Sequence, residues 1–321
     1  MKTFRFGILG AGNIAHKFCA AVRLLENVEV AAVASRSMER AAAFAQQEGI
    51  AAAYDSYERM LTETRPDCVY IATVVSQHEL LARLCVEHGI PVLCEKAMFP
   101  SYRQAEDFFR WAQEKRVFAM EALWSRFLPA NAEAKRCLLR GEIGEPTCIE
   151  AAIGFTPPFD PSSRYFSKAL GGGAACDLSV YAYELATWMA DRPAVSCHVE
   201  TVWGPTGVDV TDTALLRLEG DLPVQTHCTL VSPIREHLTI HGTEGTLVIP
   251  TPHYASGFEC RDASGKLRTA WHDDKTVNGF TYEIEETVRC IRKGKTESAV
   301  VPWKDTLACA AFIDQILDRS S

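Results

Sequence analysis

No stretch of the chain approaches the ~18 uninterrupted apolar residues of a membrane-crossing helix, so no span is expected. There is no basic excess either. Lys and Arg total 33 against 41 Asp and Glu, a formal net charge of −8. That balance argues against a nucleic acid or an anionic membrane surface as the main partner. The 12 cysteines include no CxxC pair, and the closest two, Cys85 and Cys94, lie nine positions apart. With no Cys or His at ligand spacing, neither a metal site nor a disulfide framework is expected, and reduced cytoplasmic thiols are. The opening MKTFRFGILGAG has no long apolar core with a cleavage site, so it reads as a first strand rather than a signal peptide. Internal repeats and low-complexity linkers are also missing.

What is present is ordinary for a folded protein: 321 residues, 47% hydrophobic and 23% charged. That length suits two domains of roughly 100–200 residues. Over the first 120 or so residues, apolar runs alternate with helical patterns. Phe4–Leu9, Val28–Ala34, Cys68–Ala72, Pro91–Cys94 and Val117–Met120 read as strands. Ile14–Leu25, Met38–Gln47, Ser56–Thr62, His78–Glu87 and Tyr102–Glu114 read as helices. Such alternation is the sequence form of a doubly wound parallel sheet, placed here over residues 1–122.

Residues 123–321 read differently. Helices are expected at Ala130–Arg140 and Asp177–Ala190, the second after the triple glycine Gly171–Gly173. Strand-like runs follow at Ser196–Trp203, Thr213–Leu218, Val224–Leu230, Glu236–Gly242 and Thr246–Ile249, with turn residues between them. Short turns between successive strands imply an α+β domain with a large, mostly antiparallel sheet. Helices on one side only would leave the Thr213–Ile249 run an open face rich in Leu, Val and Ile, a candidate interface.

The first strand runs into Gly10-Ala11-Gly12-Asn13-Ile14-Ala15, a GxGxxA turn that opens a helix. Gly10 suits the tight turn, Gly12 lets a pyrophosphate approach the backbone, and Ala15 lets helix and strand pack closely. Asn13 and Ile14 begin the helix whose free N–H groups and positive dipole end suit an anion. A ribose-binding Asp or Glu is usual about 20 residues further on in an NAD site. Here the second strand ends Ala34-Ser35-Arg36-Ser37, with Arg40 one turn later. A hydroxyl and two guanidiniums suit a 2′-phosphate, so NADP is expected, with NAD possible. The alternative is that Arg36 solvates a helix start.

Two further groups could carry chemistry. The fourth of those strands leads into Glu95-Lys96-Ala97, at the sheet edge where ligands of such folds bind. A cation there would favour a substrate alkoxide or a neighbouring phenolate, although a surface lysine after a strand is also common. Asp177 and Tyr181 stand four apart on one helix face, behind three glycines that permit close approach. Asp177 could instead complement the helix dipole, and Tyr181 could be core. As a base, tyrosine needs an adjacent cation, and Lys96 is the candidate.

GxGxxA, CEKA, MEALWSRFLPA, RYFSKALGGGAACDLSVY and NGFTYEIEETVRCIRKGKTES, in that order, resemble the Gfo/Idh/MocA oxidoreductases. Their dimeric dihydrodiol and NADP-dependent D-xylose dehydrogenase subgroup looks most similar. The resemblance implies that Lys96 is the catalytic or cofactor-positioning cation. It implies that Asp177 is the aspartate of the glycine-rich helix and Tyr181 the acid/base, a place many members fill with His. His78 would sit on the nicotinamide side, and Thr73 and Glu95 would bind the cofactor with it. Trp124, Arg126, Phe155, Arg164 and Phe280 would line the substrate pocket. Three departures stand out. Ala97 replaces the usual proline, so a cis bond after Lys96 does not carry over. The loop from Thr73 to His78 has two valines and no proline. Ser167-Lys168 replaces an Asn-Pro-like step.

The expected function is hydride transfer between NADP and the carbinol carbon of a sugar or cyclic trans-diol, in a homodimer or dimer of dimers built through the second sheet. The alternative is a non-catalytic regulator that binds dinucleotide and sugar on the same fold. Lys96, Asp177 and Tyr181 favour the enzyme, because a sensor has no use for an acid/base set.

Overall fold

A computed structural model describes residues 2–318. The chain divides into two compact units. One comprises the chain up to Phe99, Arg103–Trp124 and Val277–Thr306; the other comprises Pro100–Tyr102, Ser125–Thr276 and the chain from Leu307 onward. A single cut at 122/123 therefore misplaces residues 277–306, which return to the first unit.

The first unit holds β1 (Phe4–Leu9), α1 (Asn13–Val22), β2 (Val28–Ala34), α2 (Met38–Glu48), β3 (Ala52–Tyr54) and α3 (Tyr57–Thr64). It continues with β4 (Cys68–Ile71), α4 (His78–Glu87), β5 (Val92–Glu95), α5 (Tyr102–Lys115), whose first residue falls in the other unit, and β6 (Ala119–Ala122). The strands form one six-stranded parallel sheet in the order β3-β2-β1-β4-β5-β6. β4, β5 and β6 are buried at every residue, as a parallel sheet covered on both faces requires. The short β3 was not legible, because three half-buried residues carry no periodicity.

The second unit holds α6 (Pro129–Leu139), β7 (Pro146–Gly154), α7 (Val180–Ala190), β8 (Ala194–Trp203), β9 (Asp209–Leu218) and β10 (Leu222–Thr229). β11 (His237–Gly242), β12 (Gly245–Pro250), β13 (Gly257–Asp262) and β14 (Leu267–His272) follow. These strands build an eight-stranded sheet in the order β14-β13-β12-β11-β7-β10-β9-β8. Only β7 and β10 pair in parallel among them. The covered face carries Ile149, Ala151, Val224, Leu216, Leu238 and Ile240.

The opposite face is not the Leu/Val/Ile surface expected. Register puts Gln225 beside Glu150, Thr213 beside Glu200, and Thr239 beside Glu150 on that side. His198, His227 and His241 occupy it too, with Leu215 and Val202 the chief exposed aliphatics at 57% and 58% exposure. The reason is alternation. Most aliphatics of these strands fall on the inward phase of the period of two, and the outward phase is polar.

Helix α8 (Phe280–Arg292) and helix α9 (Trp303–Leu317) complete the chain. In α8 the buried Phe280, Ile284 and Val288 recur every four residues and form one stripe. This helix packs on α1, and Asn278 Nδ2 donates to the carbonyl of Lys17 at 3.0 Å. That stripe is why the segment belongs to the first unit.

Candidate active site

In the first unit the glycine turn forms as its sequence requires. Gly10 adopts φ +107°, and a Cβ there would stand 2.6 Å from the carbonyl oxygen of Ala72. At Gly12 a Cβ would meet only that oxygen at 4.0 Å, so the space beside it is open. Gly12 is the N-cap of α1 and no side chain caps the helix. Asn13 and Ile14 therefore open a helix whose first N–H groups are left to a ligand. This arrangement fits a pyrophosphate.

At the tip of β2, Ser35 is buried while Arg36 and Arg40 are exposed. Neither arginine forms an ion pair with a carboxylate among the described residues, yet both guanidiniums act on the phenol of Tyr57. Two exposed cations without a carboxylate partner among the described residues suit a phosphate monoester. Burial pushes the Tyr57 phenol above its ordinary range, with the two arginines opposing.

Lys96 is half-buried on a turn held from several sides. The hydroxyl of Tyr70 donates to the carboxylate of Glu95 in a short contact. His78 lies 2.9 Å from the carbonyl of Ala97 and 3.2 Å from that of Thr73. The Met98 N–H donates to Glu121 Oε1 at 2.8 Å, and Thr306 donates to the other oxygen at 2.9 Å. The Lys96–Ala97 peptide is cis even though proline is absent. His78 is 1% exposed, and burial holds its imidazole below its usual pKa. A neutral ring carries one N–H, so it can donate to only one of these two carbonyls, and at 1% exposure it presents no face to a ligand. That corrects its expected place beside the nicotinamide. Trp124 and Phe280, from segments far apart in sequence, stack with centroids 5.1 Å apart.

In the second unit, residues Ala175–Ser179 form a π-helical turn ahead of α7. Such single turns often mark functional positions. Asp177 lies in the turn and Tyr181 in the first turn of α7, 8% and 6% exposed. Arg164 Nη1 donates to Asp177 Oδ1 at 2.9 Å. The guanidinium of Arg164 also sits 4.1 Å from the Tyr165 ring, which meets Phe155 edge-on at 5.5 Å. Arg164, Asp177 and Phe155 are thereby brought into one cluster.

The glycines serve the protein's own packing. A Cβ at Gly173, where φ is +126°, would stand 2.0 Å from Asp209 Oδ1, and one at Gly172 would stand 2.7 Å from the carbonyl of Tyr165. This clearance lets Asp209 Oδ2 accept the Ala175 N–H at 2.5 Å, while Ser179 donates to Asp212 Oδ2 at 2.8 Å. Burial raises the carboxyls of Asp209 and Asp212, and for Asp212 the charge of Asp209 adds to it.

His253 was missed by the sequence reading. Its ring lies 5.3 Å from that of Tyr181 and 4.4 Å from that of Tyr254, and its Nδ1 is 3.7 Å from Glu236 Oε2. Asn131 Nδ2 donates to the carbonyl of Pro252 at 2.8 Å and fixes the loop. A lone His after a strand carries no spacing signal, so only folding reveals it. Arg126, expected against substrate, is 1% exposed, ion-paired to the fully buried Glu184 and 5.9 Å from the Trp188 ring centroid. A buried guanidinium so enclosed is structural.

A parallel sheet whose glycine turn faces an uncapped helix defines a dinucleotide-binding module, and the Lys96 turn stands at its strand ends. The chain matches the oxidoreductase family model of Gfo/Idh/MocA proteins, with an NAD-binding Rossmann fold, over residues 4–123. It matches the Gfo/Idh/MocA C-terminal domain over residues 131–248. It belongs to that family. Among curated relatives, it is 32% identical to the trans-1,2-dihydrobenzene-1,2-diol dehydrogenase of Mus musculus, over 97% of this chain and 95% of the relative. Aldose-aldose oxidoreductase from Caulobacter crescentus, complexed with glycerol, shares its fold with TM-score 0.88 at 22% identity, over 98% of this chain and 96% of the other. A 3-ketoreductase from Actinomadura kijaniata, in complex with NADP and TDP-benzene, gives TM-score 0.87 at 22% identity, over 98% and 97%. No helix among the described residues is long and apolar enough to cross a membrane.

Proposed function

We propose that the protein is an NADP-dependent dehydrogenase acting on a CH–OH group of a small polyhydroxylated substrate, either an aldose at its anomeric carbon or a cyclic trans-diol. The observation that supports this reading most is the ion pair, 2.9 Å, between Arg164 and Asp177, the latter on the turn that leads into Tyr181. Gly12 and the start of α1 hold the pyrophosphate, and Ser35, Arg36 and Arg40 hold a 2′-phosphate. The nicotinamide, when bound, supplies hydride acceptance or donation. Tyr181 takes the hydroxyl proton, and Lys96 is the catalytic or cofactor-positioning cation. Asp177, oriented by Arg164, fixes the hydroxyl's geometry. Phe155, and separately the stacked Trp124 and Phe280, each offer an apolar surface of the kind a sugar face or a cyclohexadiene ring stacks on.

The names of relatives support both substrate classes, and the test is a panel of aldoses and trans-diols followed by NADPH absorbance. Turnover of one class that collapses in Tyr181→Phe is the expected result. Binding of dinucleotide and sugar with no turnover would replace this reading with the regulator. We also propose assembly as a homodimer or dimer of dimers through the second sheet, across a polar, histidine-bearing face rather than an apolar one. Sedimentation as a monomer at micromolar concentration would refute it.

A further inference from the structure

We propose that Cys137, Glu142 and Cys260 form a site for a thiophilic divalent metal ion of the zinc class, at the seam between α6 and β13. Cys137 and Glu142 stand five apart but Cys260 lies far along the chain, so no motif announces the three together. Their ligand atoms nevertheless all lie within 4.8 Å of one another.

Each residue arrives for a local reason. Cys137 ends the buried stripe of α6, which also carries Ala130 and Ala134. The chain then turns back, and the Glu142 N–H donates to the carbonyl of Cys137 at 3.2 Å. Cys260 lies on the inward phase of β13, paired with Leu247 of β12. Both cysteines are essentially unexposed, at 1% and 0%, and the half-buried Glu142 gives the approach from solvent.

Zinc held at ~2.3 Å from sulfur and ~2.0–2.2 Å from a carboxylate oxygen sets ligand atoms somewhat under 4 Å apart. The cluster needs only a small contraction to reach that. Three protein ligands leave a fourth position for water on the Glu142 side. Two thiolates and one carboxylate bring three negative charges, which one divalent ion and the Arg140 guanidinium balance. Arg140 Nη2 stands 3.0 Å from Cys137 Sγ and 2.8 Å from Glu142 Oε1. Thr269 Oγ1 donates to Glu142 Oε2 at 3.1 Å, and Arg268 Nη1 holds the Glu142 carbonyl at 3.0 Å. Donors to sulfur and carboxylate of this kind orient ligands and tune affinity. Binding exchanges the two thiol protons for the ion, with no change of oxidation state. A disulfide between the two sulfurs would leave Glu142 and its donors without a role.

The test uses full-length protein, reduced and treated with chelator, titrated with cadmium ions alone. A thiolate-to-metal charge-transfer band that saturates at one ion per chain is expected, and zinc ions should abolish it by competition. Zinc should also raise the melting temperature, since a ligand of the folded state stabilises it. Cys137→Ser and Cys260→Ser should each lose the band, while Cys148→Ser, outside the cluster, should keep it. Glu142→Gln should retain the fold, and Arg140→Gln should weaken uptake by roughly 10–100-fold. No band at one equivalent overturns the proposal, as does a band that survives both serine variants. Loss of two thiols to a disulfide on mild oxidation, in a protein whose reduced form takes up no metal, would make the pair a redox couple and also overturn it.

Discussion

Both units present a candidate catalytic side chain on a backbone turn fastened by buried carboxylates, yet they fasten it differently. Around Lys96 the anchor is Glu121, whose two oxygens are each satisfied, by Met98 and Thr306. Under Asp177 and Tyr181 the anchors are Asp209 and Asp212, two like groups buried together, with raised pKa values. A carboxylate with full hydrogen bonding is a fixed anchor. Two carboxyls side by side in a dry site cannot both ionise cheaply, so one tends to hold a proton. The turn under Asp177 and Tyr181 is therefore conditional on pH through Asp209 and Asp212.

The largest expected effect tests whether the two turns serve one reaction. Tyr181→Phe should keep folding and NADP binding and lower turnover by ~10²–10⁴-fold. Lys96→Met should do comparable damage, and the double variant should lose little more than either alone if the two act as a unit. Turnover and pH profile indifferent to Tyr181→Phe would end the assignment and leave Lys96 as the proton acceptor.

Next in size is the steric basis of the second turn. Gly173→Ala puts a methyl 2.0 Å from Asp209 Oδ1 at φ +126°, and should destabilise the protein by about 3 kcal/mol or more in chemical denaturation. Gly12→Ala, where the space is open, should leave stability nearly intact and weaken dinucleotide binding instead. The contrast fails if both variants behave alike.

Arg36→Ala should weaken NADP by roughly 1.5–3 kcal/mol for each charged hydrogen bond lost, with NAD nearly unchanged, in parallel titrations of the two cofactors. Equal losses for both would remove the argument from the strand-two tip.

The smallest effect concerns pH. Asp212 titrates above its ordinary range when folded, so the native state binds more protons than the unfolded chain over that interval. Stability from this group is then full below the ordinary Asp pKa of about 3.9 and is lost as pH rises through the raised value. Asp212→Asn, which can still accept from Ser179, should flatten the fall in stability on the alkaline side. Glu283, fully buried with neither oxygen hydrogen-bonded among the described residues, is raised by burial and then by the charge of Glu95. Glu283→Gln should therefore stabilise the protein by about 1 kcal/mol near neutral pH, the gap narrowing as pH falls toward the ordinary Glu pKa. Thermal unfolding across a pH series reads both.

The α/β alternation, the GxGxxA turn, the arginines in place of an acid and the α4 helix at His78–Glu87 were legible in the sequence, because each is fixed by neighbours a few residues away. A strand's phase and a helix's stripe are local properties, and so is the need for glycine at Gly10. The open face of the second sheet was misread because the phase of each strand, not the composition of the run, decides which side it shows. The central strand β7 went unseen, since Glu150 and Ala152 of its outer phase, with an exposed Thr147 near its start, dilute the apolar signal.

What only the tertiary structure decided are the meetings between distant segments. His253 comes against Tyr181, Asp209 comes under Gly173, and α8 returns to pack on α1. It also enclosed Arg126 with Glu184 and drew Cys137, Glu142 and Cys260 together. Loop closure over such separations costs entropy that no local pattern records. It is offset by the burial of whole faces, so these partners are settled by the packing of sheets and helices rather than by their own spacing.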